Sequence, residues 1–535
     1  MESAHAPVGG ECDTHGADWT ICYAAASPAA DRRFRTQSRP AARASWAGVT
    51  SPPGPVQFPT GRRGDWSGTV DEWLFRFRWV VPDRGDPIPD GGVLLCRDQI
   101  VAVEPFRRLA GKCGVLDFGD AVALPPLVNA HTHWEFSDLG TPIVVDRQPT
   151  DWLHAVIRHR RNTHCPRHEL LARGIRETLA AGTSAVGEIA TCELSHYAAA
   201  AAAAHMPHTI AAKLQCLVFR ELIGLRDDSV KAAIRTAQRH VSGGEHGNGG
   251  RSTDPTSAGS AETTTRSVRA EATTVKSPGI DFMLALSPHA PYSVRDDLLA
   301  ACVDLARRAG VPLAMHFAEF SAERELLARG TGPLREFLER LGVCDATSFA
   351  TPRTHLELLE QLADAPRVLL IHGNHLTEVE LQFIRGREQF SLVYCPRTHA
   401  HFGHPTHPWP RAAALGVNVA LGTDSRASNP DLSLLNELRF LLGSSRLPLT
   451  ALLPLASRNG CRALGLPCTG GLCPGAAPQA TILAVRQGPK TERLDRWLLQ
   501  SRSERCWAVN DPIDWIAAHE TAQKWRTTNR SKTPE

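Results

Sequence analysis

The chain has 535 residues, 42% of them hydrophobic, enough for one large domain and a smaller one. Its 59 basic and 56 acidic residues leave a net charge of +3, so no concentrated positive field marks a nucleic-acid partner. No apolar run approaches the ~20 residues that span a bilayer, Met1 to Ala30 lacks the basic-then-apolar pattern of a secretory signal, and the 14 cysteines form no C-x-x-C pair, so a reducing cytoplasm is the expected setting.

Residues 1–65 are rich in Ala, Pro, Arg and Gly without sustained periodicity. They read as disordered, or as sequence upstream of the true start codon. From Trp73 to Leu124 the segments WLFRFRWVVP, GGVLLCRDQIVAVEP and GVLDFGDAVALPP read as short strands with turns between them. Together with Ala480–Val485 in the tail they are assigned to one small β-sandwich domain, 68–123 plus 470–490, contributed by both flanks of the chain.

Residues 124–469 have a different rhythm, with short apolar runs that end in polar residues and helix-like segments after them. Eight such runs occur, at Leu124–Ala130, Thr183–Gly187, Ile210–Val218, Phe282–Leu286, Val311–Met315, Val368–Ile371, Leu392–Tyr394 and Val417–Leu421. Parallel strands covered on both faces read this way. The polyalanine tract Ala198–Ala204 falls on the helix after the second run, and Thr377-Glu378-Val379-Glu380 matches a capping box. Asn429-Pro430 matches an N-cap followed by proline at the first helical position. The stretch 242–279, SGGEHGNGG followed by a Ser/Thr-rich tract, reads as a disordered surface insertion, and 491–535 as a partly helical tail. Eight strand–helix units predict a (β/α)8 TIM-type barrel with its active site at the C-terminal strand ends. A doubly wound sheet would need a Gly-rich phosphate turn after the first strand, and the sequence has none there.

Titratable residues fall at those strand ends. His131-Thr132-His133 closes the first strand, and alternate strand residues face one way, so both imidazoles point at the barrel mouth. His316 ends the fifth strand, Glu319 follows three residues later, and Asp424 ends the eighth. Each has a plain alternative: a core histidine, a surface glutamate, an N-capping aspartate. As a set, three imidazoles and a carboxylate suit Zn or Fe(II), with water completing the shell.

The segments LPPLVNAHTH, HFAE, LLIHGNH and LGTDS resemble the amidohydrolase superfamily over about residues 70 to 490. More narrowly they are similar to its branch of cytosine, guanine and adenosine-type deaminases and triazine chlorohydrolases. His131-Thr-His-Trp-Glu-Phe-Ser137 also resembles the H-T-H-x-E-x-S of aminodeoxyfutalosine deaminases. The resemblance implies one divalent metal, Zn in preference to Fe(II), held by His131, His133, His316 and Asp424. Binuclear members carry a lysine at the end of the fourth strand; here LALSPHAPYSV places His289 there, as a substrate contact. Glu319 is implied as proton shuttle, Asp424 as the acceptor of the water's proton, and His372 as the group orienting the attacking water, with His375 as its alternative. Glu221, in Phe219-Arg220-Glu221, is either a substrate-binding acid or a surface glutamate. Arg397 and His399, after the seventh strand, are candidate substrate contacts, whereas His399, His401, His404 and His407 together read as a polar loop rather than a second metal site.

The implied reaction is hydrolysis of a C–N bond other than a peptide: deamination of an amino-substituted heterocycle (a purine, a pyrimidine or an aminodeoxyfutalosine-like compound). Its expected partners are that small molecule and water, with neither nucleic acid nor membrane. The same geometry would expel chloride, so chlorohydrolysis is the alternative. A binuclear cyclic-amide hydrolase needs the missing lysine, and a non-catalytic scaffold would have lost ligands that are all present. Assembly into a homo-oligomer is left open.

Overall fold

The computed structural model describes residues 72–111, 113–144, 149–204, 213–243, 274–277, 279–467, 471–485, 488–501 and 504–527. The expected N-terminal extension 1–65 and the body of the insertion, 244–273, lie outside the described residues. The strands, in chain order, are β1 (Glu72–Val80), β2 (Ile88–Cys96), β3 (Gln99–Pro105), β4 (Val115–Asp117), β5 (Ala121–Leu124), β6 (Leu127–His133), β7 (Thr183–Ala190), β8 (Leu214–Leu222) and β9 (Thr274–Ser277). They continue with β10 (Ile280–Pro288), β11 (Leu313–Phe317), β12 (Val368–His372), β13 (Phe390–Tyr394), β14 (Asn418–Leu421), β15 (Asp424–Ser425), β16 (Ala480–Val485) and β17 (Glu504–Val509).

Two sheets result. The smaller runs β17-β16-β5-β1-β2-β3, with β4 beside β1, so it joins strands from both flanks of the chain. β17 lies in the tail expected to be partly helical, and it pairs antiparallel with β16. Alternation explains how β5 and β16 serve two cores at once. Val122, Leu124, Leu483 and Val485 join the large core, whereas Ala121, Ala123, Ile482 and Ala484 join a second. That second core centres on aromatics: Phe77 stacks on Phe118 at 4.6 Å, and Phe75 meets Trp515 of the helix Pro512–Thr527 at 5.0 Å.

The larger sheet has ten strands, in the order β14-β13-β12-β11-β10-β8-β7-β6-β15, with β9 beside β10. All neighbours pair parallel except β9, a short antiparallel addition at the end of the expected insertion. Each of the eight predicted runs overlaps one of these strands, the third from Leu214 onward, its first three residues lying outside the described ones. The first is split: Pro125-Pro126 cannot donate to a ladder, so β5 and β6 separate there and join different sheets. One alternate set of side chains, among them Val128, Ala185, Leu217, Ala285, Ala314, Leu369, Val393 and Ala420, forms a single buried cluster. At the sheet's two ends the backbone of one turn serves both edges. Gly422 donates its N–H to Tyr394 O of β13 at 3.0 Å, and Thr423 donates to His131 O of β6 at 3.0 Å. No helix among the described residues is long and apolar enough to cross a membrane.

Candidate active site

The expected site residues converge at the C-terminal ends of the parallel strands. His131 and His133 project to one side of β6, while Thr132 between them turns outward and donates its hydroxyl to Asp424 O at 3.2 Å. That bond and the β6–β15 pairing seat Asp424 beside the two imidazoles. Gly422 is required for this approach, because a Cβ there would lie 2.9 Å from His131 Cβ. The next residue, Trp134, packs against Gly174, where a Cβ would meet the indole at 2.5 Å. Its N–H is held by both oxygens of the buried Glu188 carboxylate, at 3.0 and 3.1 Å.

The ligand atoms of His131, His133 and Asp424 lie within 4.8 Å of one another, as do those of His131, His316 and His372. Asp424 Oδ1 stands 3.5 Å from His131 Nε2 and 3.6 Å from His133 Nε2, too far for good hydrogen bonds. Nε2 of His316 and of His133 face each other at 3.4 Å. Both ring nitrogens of His131 and Nδ1 of His133 are buried without a hydrogen-bond partner. Buried polar atoms are rarely orphaned, so this set fits a divalent cation.

The protonation states agree with that fit. Burial holds His316 at a pKa of about 3 and pushes His133 and His372 well below their ordinary value, so all three are neutral donors. His316 Nδ1 lies 3.1 Å from His289 O; donating there leaves Nε2 as the lone pair facing the cluster. Burial opposes charge on Asp424, but the imidazoles of His131, His372 and His133 around it outweigh that and keep the carboxylate ionised. Ser428 donates its hydroxyl to the other oxygen, Oδ2, at 2.6 Å. Glu319 goes the opposite way: burial, then the charges of Asp424 and Glu323, raise its pKa well above the ordinary value, favouring the protonated acid. Its Oε1 is 3.6 Å from His372 Nε2.

His372 and Asp424 both adopt left-handed backbone conformations, with φ of 68° and 56°. That region is disfavoured for residues with a Cβ and persists where surroundings impose it. At His372 the carbonyl is held by His407. Trp409 N–H donates to His407 Nδ1 at 2.9 Å, so the ring proton sits on Nε2 and is donated to His372 O at 2.7 Å. Burial holds His407 at a pKa of about 3, against an ordinary 6.5. Between those values the unfolded chain takes up a proton that the folded chain refuses. The contribution to stability is therefore complete above pH 6.5 and lost as pH falls toward 3. His407→Asn is expected to flatten the decline of urea stability between pH 6.5 and 4.5 by about 1 kcal/mol per pH unit; an unchanged slope would contradict this reading.

A cavity of about 340 Å³ opens over the cluster. His133, His316, His372, Asp424 and Glu319 line its floor, and Glu221 and His289 one wall, with Glu221 Oε1 3.9 Å from His289 Nε2. His289 is partly buried, its pKa lowered to about 3 by desolvation and by Arg160, and its Nδ1 is 2.6 Å from Ser293 Oγ. The upper wall is apolar: Phe136, Trp152 and Val156 from one side, Phe337 and Leu338 from another. Arg160 also borders it, its guanidinium paired with Glu135, which in turn binds Arg167 at 2.9 Å. Glu135, Arg160, Ser293, Ser428 and Glu188 were not singled out from the sequence. Only Glu135 carried a signal, as the acid of the HTHWEFS motif.

Two expectations are corrected. Arg397 and His399 do not line this cavity. The guanidinium of Arg397 is committed to Asp431, at 2.7 and 2.9 Å, and to the fully buried Glu437 at 2.8 Å. His399 lies against Pro405 O at 2.8 Å. Arg397 therefore ties the turn after β13 to the helix Leu434–Ser444. Arg397→Ala leaves a buried carboxylate uncompensated and is expected to cost about 3–5 kcal/mol in a denaturant melt. A loss under 1 kcal/mol would restore a functional reading of that side chain. His375, the alternative to His372, also stays outside this cavity.

The sequence profile of the Amidohydrolase family matches residues 122–504. The chain belongs to the amidohydrolase family. It is accordingly a hydrolase, and its relatives narrow the comparison. It is 28% identical over 396 residues to a 5-methylthioadenosine/S-adenosylhomocysteine deaminase of Syntrophobacter fumaroxidans, a match covering 72% of this chain and 76% of that protein. It is 35% identical over 174 residues to an aminodeoxyfutalosine deaminase of Deinococcus radiodurans, a match spanning only 30% of this chain and 40% of that one. The fold is shared with Helicobacter pylori aminofutalosine deaminase in complex with methylthio-coformycin, at TM-score 0.62 and 21% identity over 81% of this chain and 97% of that one.

Proposed function

We propose that this amidohydrolase deaminates an amino-substituted heterocycle, an adenine nucleoside or a close analogue, by adding water across a ring C=N bond and expelling ammonia. The observation that carries the reading is the cavity floor, where neutral imidazoles, an ionised Asp424 and a protonated Glu319 face one space. The names of the relatives above, all deaminases, support the substrate class. Behind the site, the turn shared by β13 and β6 at Gly422-Thr423 supports closure of the ten-stranded sheet as a (β/α)8 barrel. The sheet joining both flanks supports a composite β domain beside it.

His131, His133, His316 and Asp424 would hold one divalent cation. Zinc is favoured by the nitrogen-rich donor set and by the bound zinc of a Xanthomonas campestris adenosine deaminase with this fold, at TM-score 0.57 and 21% identity over 86% of this chain and 98% of that one. When bound, such an ion supplies Lewis acidity that makes water nucleophilic at neutral pH. Asp424, ionised, takes a proton from the attacking water. His372, neutral and fixed by its backbone, orients that water. Glu319 gives its proton to the ring nitrogen next to the carbon under attack, takes the proton of the added hydroxyl as the carbonyl forms and hands it to the departing amine, and is then reprotonated from Asp424, which restores both groups. Glu221 and His289 bind the substrate from the wall, and the apolar roof excludes water above it.

The test is ammonia release from 5′-methylthioadenosine, S-adenosylhomocysteine, aminodeoxyfutalosine, guanine and cytosine. Turnover of at least one adenine nucleoside is expected. Release of chloride from a chlorotriazine, with ammonia from none of these, would overturn the proposal.

A further inference from the structure

We infer that Glu323 is a positioning residue that sets the aim of Glu319, a role resting on the shuttle assignment above. The loop after β11 does not follow an ordinary path. Ala318 has φ of +50°, left-handed for a residue with a Cβ, and the kink turns three successive backbone N–H groups inward. All three converge on one carboxylate. Glu323 Oε2 accepts from Ala318 at 3.0 Å, while Oε1 accepts from Glu319 at 2.7 Å and from Phe320 at 3.0 Å. The fourth contact is His355 Nε2, 3.3 Å from Oε2, at the start of the helix His355–Leu362. Glu323 and His355 are 0% and 1% exposed, so no water replaces these bonds.

This arrangement belongs to the reaction for a geometric reason. The shortest bond goes to the N–H of Glu319 itself, whose carboxyl reaches the cavity floor beside His372. From the far side the same loop is pinned to the turn after β12: His375 N–H donates to Ala318 O at 2.9 Å, and Asn374 Nδ2 donates to Glu319 O at 3.2 Å. Glu323 thus supplies the anion around which the Glu319 backbone is wrapped. A neutral amide in its place turns an N–H₂ group toward one set of donors and releases the kink.

The test compares Glu319→Gln, Glu323→Gln and Glu323→Asp with wild type on 5′-methylthioadenosine, or on aminodeoxyfutalosine where the screen selects it. It follows kcat, KM, bound metal, and amide hydrogen exchange in the peptide spanning residues 317–321. Glu323→Gln is expected to lower kcat about 10²-fold, the usual consequence of misplacing a reacting group by about 1 Å. KM should move less than about threefold and metal content not at all, with faster exchange in that peptide. Glu323→Asp keeps the charge but withdraws it by one methylene, so the same pattern is expected in weaker form; it serves as the test if the Gln variant does not fold. An inactive Glu319→Gln beside Glu323 variants of wild-type kcat would overturn the positioning role alone, as would loss of metal in step with kcat. A fully active Glu319→Gln would bring down the shuttle assignment and, with it, this role.

Discussion

Glu319→Gln is expected to cut kcat by about 10³-fold, inside the range of 10² to 10⁴ typical of general acid–base groups, while leaving the metal in place. The acid is buried, raised in pKa and within reach of His372, but it is not part of the imidazole–aspartate cluster. Gln keeps its shape and removes the transferable proton. The comparison to make is steady-state kcat with metal content measured on the same sample. A near-wild-type rate would remove Glu319 from the chemistry, and loss of metal would move it into the ligand set.

A larger loss should follow when the metal site itself is broken. His131 has no exposure and two orphaned ring nitrogens, so a bound cation satisfies a group that the protein leaves unsatisfied. Lewis-acid stabilisation is worth several kcal/mol, and each 1.4 kcal/mol is tenfold in rate. His131→Ala, or dialysis of wild type against a strong chelator, is therefore expected to lower activity by about 10³ to 10⁴-fold. Added zinc should restore the dialysed enzyme and leave the variant inactive. Activity that survives both treatments would contradict a metal-dependent site.

Much of this was legible because strands are periodic. The two-residue spacing of His131 and His133 forces both imidazoles to one side, and the apolar runs before His316, His372 and Asp424 locate their strand ends to within two residues. Arg397 was misread for the complementary reason. Its place after β13 points to the mouth, but its direction is decided by Asp431 and Glu437, far along the chain and on another element. Glu323 reads in sequence as an ordinary acid in the first turn of the helix Ala322–Arg329, where the helix dipole already explains it. Only the kinked loop shows what it holds. β17 escaped notice because ERCWAV is a short strand whose pairing with β16 depends on distant partners.

The claim beneath all of this is that four side chains from β6, β11 and β15 share one ion. Anomalous diffraction at the zinc edge, on crystals of enzyme loaded with zinc, tests it most directly. The account predicts a single strong peak enclosed by His131, His133, His316 and Asp424. Two peaks of equal strength, or one bound elsewhere with these four residues empty, would contradict it.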